Sequence, residues 1–570
     1  MAADKVLLNG HIYSVNSDGS FTEGSALAIS EGKITALGND EEIIRYADEN
    51  TEVIDCKGNT IMPGLIDSHC HPIFAASIFE NCSLFDIPGT PEETSRDVID
   101  KYVLKMKEFI DENPDMPVYR GTGWNRAFFS GSCREPQWPT RQDLDRICPD
   151  RPVVLESYCQ HLMWVNSKAI ELSGLSAETS DPEYGSFTRE EDGYPAGVFF
   201  EMDGINLIKE NMKGYDYTVE QYRNTIMRFQ EEIALPFGLL CADDCATTEN
   251  AITAMKQLAS EDLLKMRLRG VYLLKDCKDL SAVAAIGDRA GSDNVGDTFR
   301  IDTIKTFIEG EPALTEPYLP EANRERGLPD DYAGIPFYDD DDLMKCYEKA
   351  AKTGLQIHIH AMGGKSIHQA VKALSYAQDK TGQRNRNVIA HHMEVSDEDI
   401  KAMAENDILA NVQPRWMVYD ADAAENYTFM VGKERACRVY PNKRFLDAGC
   451  GVVYGTDFPV TEINPFCGIE CAITRCVYEG GEGYEQYKGI PLGPEENPKM
   501  DCVSLKDAVR SYTYMGAYQN FMEDITGTIE VGKSADIVIL DKNIEAVPVT
   551  GIHKILPVRT IFKGETVYSR

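Results

Sequence analysis

Apolar and polar residues alternate at both ends of this chain. K-V-L-L-N-G-H-I-Y-S-V (5–15), A-L-A-I-S-E-G-K-I-T-A-L-G (26–38) and T-E-V-I-D-C-K-G-N-T-I (51–61) keep that period and are bounded by Gly or Asn. Such stretches predict short, half-buried strands joined by turns. The pattern returns in A-D-I-V-I-L-D (535–541) and V-R-T-I-F-K-G-E-T-V-Y (558–568). Two strand-rich ends around a long middle predict one small β domain made from both termini, residues 1–60 and 515–570.

The middle, residues 61–514, has a different rhythm. Short, continuously apolar runs suited to buried strands alternate with amphipathic stretches of helical period. The strand candidates are 60–67, 238–244, 268–274, 301–307, 355–360, 387–391, 407–413 and 451–457. Eight such strands interleaved with helices predict an α/β fold of the (β/α)8 TIM-barrel type. The first ends at Asp67 and the second begins at Gly238, a gap far longer than one helix needs. Residues 75–235 are therefore expected to be a large insertion after strand 1. Insertions at the C-terminal ends of barrel strands surround the active site, so this one is a candidate lid that shapes substrate choice.

Composition narrows the partners. The 570 residues are 43% hydrophobic and carry a formal net charge of −36. A surface so acidic repels nucleic acid and anionic membrane. The densest acidic cluster, Asp339–Asp342, suits the first turn of a helix. No apolar stretch approaches the roughly 18 residues of a membrane span, and the opening M-A-A-D-K-V-L-L-N-G has no extended apolar segment. The 16 cysteines include no C-x-x-C pair, only two C-x-x-x-C spacings at Cys241/Cys245 and Cys467/Cys471. A cytoplasmic protein with reduced thiols is the expectation.

Candidate chemistry begins at P-G-L-I-D-S-H-C-H-P (63–72). Residues i and i+2 of a strand face the same way, so His69 and His71 can present two imidazoles to one point while Cys70 faces away. Paired neutral imidazoles suit zinc and similar metals. Three other predicted strand ends carry ligand-type residues: His360 ends the fifth strand, His391 the sixth, and Asp457 the eighth, in G-T-D-F-P-V. Spacing does not choose between His358 and His360. His392, adjacent to His391, should point to the opposite face.

These residues carry a resemblance. The chain is similar to the amidohydrolase superfamily, and within it to the branch that includes N-substituted formamide deformylases. The similarity runs almost end to end, through P-G-L-I-D-S-H-C-H, the text around His360, G-T-D-F-P-V, S-Y-T-Y-M-G-A-Y (511–518) and G-T-I-E-V-G-K-S-A-D-I-V-I-L-D (527–541). Branch features present are G-x-G-W (121–124), D-R-P-V (150–153), H-x-x-x-V-N-S (161–167) and I-K-x-F (304–307).

The resemblance implies a metal-dependent TIM barrel with a small β-sandwich built from both ends. His69 and His71 with Asp457 would hold one metal, His360 and His391 a second. Lys305 would be carbamylated and bridge the two. Zinc is the first expectation, and manganese, iron and nickel can use the same donors. The implied activity is hydrolysis of a small-molecule C–N bond, an amide or N-formyl amine, by a metal-activated hydroxide, with Asp457 moving the proton. The alternatives are a mononuclear deaminase or cyclic-amide hydrolase, and a metal-dependent decarboxylase. His161 is a candidate catalytic, substrate-facing donor, with a structural role as the alternative. Trp124, Tyr158 and Trp416 are candidates for a substrate-binding aromatic pocket, with core packing the alternative for each. A homodimer is the assembly to expect. One departure stands out: Gly364 occupies the place of an acidic residue found in many members of the branch.

Overall fold

Eight parallel strands make the barrel: Leu65–Cys70, Leu239–Thr247, Arg267–Leu273, Phe299–Phe307, Gln356–Ala361, Val388–His391, Leu409–Val412 and Val452–Tyr454. Each pairs with the next in chain order. The structure, a computed structural model, describes residues 2–85, 87, 93–129, 135, 137–157, 162–182, 185–310 and 313–570. The chain divides into two compact units, Met1–Pro72 with Ile226–Arg570, and Ile73–Thr225.

The barrel is nearly closed, and polar contacts bridge its first and last strands. The Asp457 amide donates to the His69 carbonyl at 2.7 Å. The buried Asp67 carboxylate accepts from the Thr456 amide at 3.0 Å and the Thr456 hydroxyl at 2.5 Å. Gly455 lies so close to the first strand that a Cβ there would sit 2.6 Å from the His69 Cβ and 2.7 Å from its backbone oxygen. That approach explains the glycine of G-T-D.

Helices fill the crossovers, among them Glu249–Ser260, Asp340–Lys352, Gly364–Thr381 and Asp397–Glu405. The acidic run does open a helix: Asp339 is the N-cap and accepts from the Asp342 amide at 2.8 Å, with Asp340, Asp341 and Asp342 in the first turn. Carboxylates there offset the orphan N–H groups and the positive end of the dipole.

The two ends of the chain form a β-sandwich. One sheet joins Lys33–Gly38, Ala26–Ser30, Lys5–Leu8 and Glu52–Asp55; the other joins His11–Ile12, Thr60–Pro63, Ile537–Leu540, Pro557–Phe562 and Glu565–Ser569. Leu7, Leu27, Ile29, Ile61, Ile529, Ile537 and Ile561 form its dry interior. Buried Arg267 on the third barrel strand reaches the buried Asp536 at 2.5 Å and the part-exposed Asp297 at 2.9 Å, ion pairs that tie sandwich to barrel.

Two strand expectations need correction. The run 60–67 is not one strand. Thr60–Pro63 belongs to the sandwich, antiparallel to Ile537–Leu540, and Leu65–Cys70 starts the barrel. Both pieces are fully buried, so no change of apolar period marks the break at Gly64. The eighth strand ends at Tyr454, and Asp457 lies beyond it with a left-handed φ of 58°.

The second unit has its own sheet, ordered Ser186–Arg189, Pro195–Phe200, Leu162–Val165, Val153–Ser157, Tyr119–Trp124 and Cys82–Ser83. Helix Ser95–Glu112 opens with a Thr94/Asp97 capping box. Tyr102, Trp124, Phe129, Leu155 and Trp164 share one core with it. Among the described residues, no helix is long and apolar enough to cross a membrane.

Candidate metal centre

The C-terminal ends of barrel strands one, four, five and six, with the segment after strand eight, bring six polar side chains together. His71 Nε2 lies 3.0 Å from Asp457 Oδ1, and His69 Nε2 lies 3.5 Å from the same oxygen. These three residues place their ligand atoms within 4.8 Å of one another. Lys305 Nζ stands 3.5 Å from His69 Nε2. The His391 ring is 4.8 Å from that of His69 and 4.5 Å from that of His360.

Burial disfavours charge on His69, His360 and His391. Burial, and then the charge of Lys305, hold the His69 and His358 imidazoles well below their usual pKa. Burial and Lys305 lower His360 to about 3. Burial, His360 and Lys305 lower His391. Uncharged imidazoles keep a nitrogen lone pair, which is what a cation needs. Lys305 is wholly buried, and burial lowers its pKa as well. It does not snorkel to the surface. Four imidazoles, a carboxylate and a buried lysine form a donor set that fits divalent cations.

Local backbone aims the ligands. His391 and His392 adopt φ of 88° and 54°. Left-handed conformations cost non-glycine residues about 1–3 kcal/mol each and gather at functional sites. His391 then stacks on Trp416, rings 5.2 Å apart and 14° from parallel, and its Nδ1 meets Gln413 Oε1 at 3.0 Å.

The remaining sequence candidates separate. His358 lies beneath the site, its Nε2 2.9 Å from His69 Nδ1. His392 turns away, toward the Ile389 carbonyl at 2.7 Å and the Phe445 ring. Trp124 is fully buried in the second unit's core and donates Nε1–H to the Leu155 carbonyl at 2.9 Å. Tyr158 and His161 lie outside the described residues. At Gly364 an added Cβ would meet only the Glu394 carbonyl, at 4.0 Å. No steric demand excludes a side chain there.

Some residues of the site were not singled out by the sequence. Cys245, buried on the second strand, groups with His69 and His358 within 4.8 Å. Its place at the end of D-D-C was the available signal. Asp67, whose carboxyl burial pushes up to about 7 despite the Thr456 hydrogen bonds, and Gln413 had no such signal.

Comparison with known proteins identifies relatives of this chain. The profile of the amidohydrolase family matches residues 52–568. The chain is 23% identical to the N-substituted formamide deformylase of Arthrobacter pascens over 585 aligned positions, covering 100% of this chain and 98% of that one. An uncharacterized metal-dependent hydrolase from Pyrococcus horikoshii superposes with a TM-score of 0.73 at 25% identity, over 96% of this chain and 99% of its own. An adenosine deaminase from Xanthomonas campestris with bound zinc shares the fold, with a TM-score of 0.52 at 12% identity over 100% and 93% of the two chains.

Proposed function

The chain belongs to the amidohydrolase family of metal-dependent hydrolases, and on that premise we propose that it cleaves the C–N bond of a small amide or N-formyl amine. The observation that carries this reading is the convergence of His69, His71 and Asp457 beside the buried Lys305. His69, His71 and Asp457 would hold one divalent ion and His360 and His391 a second, with Lys305 carbamylated between them. The metal would supply Lewis acidity, polarising a carbonyl and making water acidic enough to act near neutral pH.

The chain's own groups do the rest. Asp457 Oδ1, 3.0 Å from His71, takes the proton of the attacking water and returns it to the leaving nitrogen, which departs poorly as an anion. Its left-handed backbone, anchored through Thr456 on Asp67, fixes that oxygen. His69, His360 and His391, kept uncharged by burial, neither repel a cation nor compete as acids. Trp416 holds the plane of His391 and offers an apolar wall. Zinc is the proposed metal; the A. pascens relative supplies the substrate class and the X. campestris structure the metal precedent.

The test is metal analysis of protein purified without chelator, followed by a panel of amides and N-formyl amines assayed for released amine. About two metals per chain are expected for a two-metal site, falling in Lys305→Ala, with amine release dependent on metal. Failure to take up zinc or manganese in the presence of bicarbonate overturns the reading. A single metal unaffected by Lys305→Ala would select a mononuclear deaminase or cyclic-amide hydrolase using His69, His71, His360 and Asp457.

A further inference from the structure

Five buried polar residues behind the site have no role in the chemistry above, yet they form one continuous chain. His391 Nδ1 is 3.0 Å from Gln413 Oε1. Gln413 Nε2 donates to Asn411 Oδ1 at 3.0 Å. Asn411 Nδ2 donates to Gln519 Oε1 and to the Ser68 carbonyl, each at 3.0 Å. Gln519 Nε2 donates to the same carbonyl and to Asp243 Oδ2, each at 2.9 Å. Asn520 Nδ2 caps the other oxygen of Asp243 at 2.8 Å. Asn411, Gln413, Gln519 and Asp243 are all no more than 3% exposed.

A side-chain amide has one accepting and one donating end. Buried and fully paired, it cannot turn over without leaving two groups unsatisfied, each at a desolvation cost. Direction therefore passes along the chain. Its far end is the Ser68 carbonyl, a group with no proton to give at any pH, which receives both Gln519 and Asn411. That forces Nδ2 of Asn411 toward Ser68 and Oδ1 toward Gln413. Gln413 must then donate to Asn411 and present its oxygen to His391. An oxygen facing Nδ1 requires the proton on Nδ1 and leaves the lone pair on Nε2.

We propose that Gln413, Asn411 and Gln519 are positioning residues that select the tautomer of His391, holding Nε2 bare as a ligand atom. The proposal rests on the metal-centre reading for its purpose, but the tautomer itself is a property of the metal-free chain. An ion arriving at His391 then meets a nitrogen already deprotonated, with no imidazole proton to displace or turn. Partners of this kind are worth about tenfold to a hundredfold in metal affinity.

The experiment is long-range proton–nitrogen NMR of metal-free protein labelled with 15N-histidine, the His391 signal being the one lost in His391→Asn. The expected wild-type result is a single tautomer protonated on Nδ1. Asn411→Leu frees the Gln413 amide to turn, so both tautomers should appear and zinc affinity should fall by about tenfold to a hundredfold. Adding Gln413→Glu, whose ionised carboxylate can only accept, should restore the Nδ1 tautomer, a rescue that a merely structural role would not produce. A wild-type His391 protonated on Nε2 overturns the proposal, even if Asn411→Leu fails to fold. So does an Asn411→Leu spectrum with one tautomer and unchanged zinc affinity. A wild-type chain with the Nδ1 tautomer but no zinc uptake would retire the hydrolase reading and leave the relay standing.

Discussion

Two edges of the barrel mouth hold ligand-type residues by different means. Where strand eight meets strand one, His69, His71 and Asp457 are set by backbone contacts and one carboxylate: Asp67 gathers the Thr456 amide and hydroxyl, and the Asp457 amide closes on the His69 carbonyl. At strands five and six, His391 is aimed by a left-handed backbone, the Trp416 ring and a chain of neutral amides. The first edge couples the ligands to closure of the barrel, so damage there should cost both fold and site. At the second the orienting bonds run through side-chain amides, so the ring's hydrogen bonding can change while the barrel stands.

The sharpest break is Asp457→Asn. It keeps the shape and removes the base, and kcat on any amide the wild type cleaves should fall by about 10²–10⁴-fold. An unchanged kcat would take Asp457 out of the proton transfer. Asp67→Ala strikes the fold of the same edge. It strips acceptors from the Thr456 amide and hydroxyl and from the His69 amide, whose contact with Asp67 is 3.3 Å. A loss of about 3 kcal/mol or more is expected in denaturant unfolding, together with lost metal; a loss under about 1 kcal/mol would mean that other contacts close the barrel.

The second edge should respond to pH. Burial lowers His392 to about 4 from the usual 6.5. The unfolded chain takes up this proton first, so the contribution is intact above pH 6.5 and is lost as pH falls toward 4, reaching about 3 kcal/mol. His392→Gln can still donate to the Ile389 carbonyl but cannot titrate. Unfolding of the variant followed from pH 7 to 4 should show a shallower acid loss than wild type, and identical slopes would exclude His392 as a cause. The smallest effect expected is from Gly364→Asp. The position opens helix Gly364–Thr381, its N-cap Gly363 supplies no side-chain bond, and space is open. A gain of about 0.5–1 kcal/mol should follow from reduced unfolded-state freedom and the helix dipole; a thermal midpoint below wild type would show that the open space is needed.

The same contrast explains what could be read in advance. Strand ends were visible because parallel barrel strands are buried on both faces and appear as apolar runs. H-x-H and G-T-D-F-P-V fall at such ends, so the edge built on backbone was largely legible. The break at Gly64 was not, because leaving one sheet for another changes no periodicity. Neither were Asp67, Gln413 and Asn411 as parts of a site. Gln519 lies more than a hundred positions from the asparagine it orients, and nothing local in either sequence records the pairing.

The sequence by itself determined the two strand-rich ends, the eight-strand middle, and the residue types available to grip a cation. Those follow from local period and from chemistry carried by single side chains. Tertiary structure alone decided which of two histidines on one strand lies at the rim and which lies beneath it, that Lys305 is buried against His69, and that His391 meets an oxygen and not an N–H. The reason is physical: burial and hydrogen-bond direction belong to neighbours that only folding assembles, and an enclosed polar group left without a partner costs free energy.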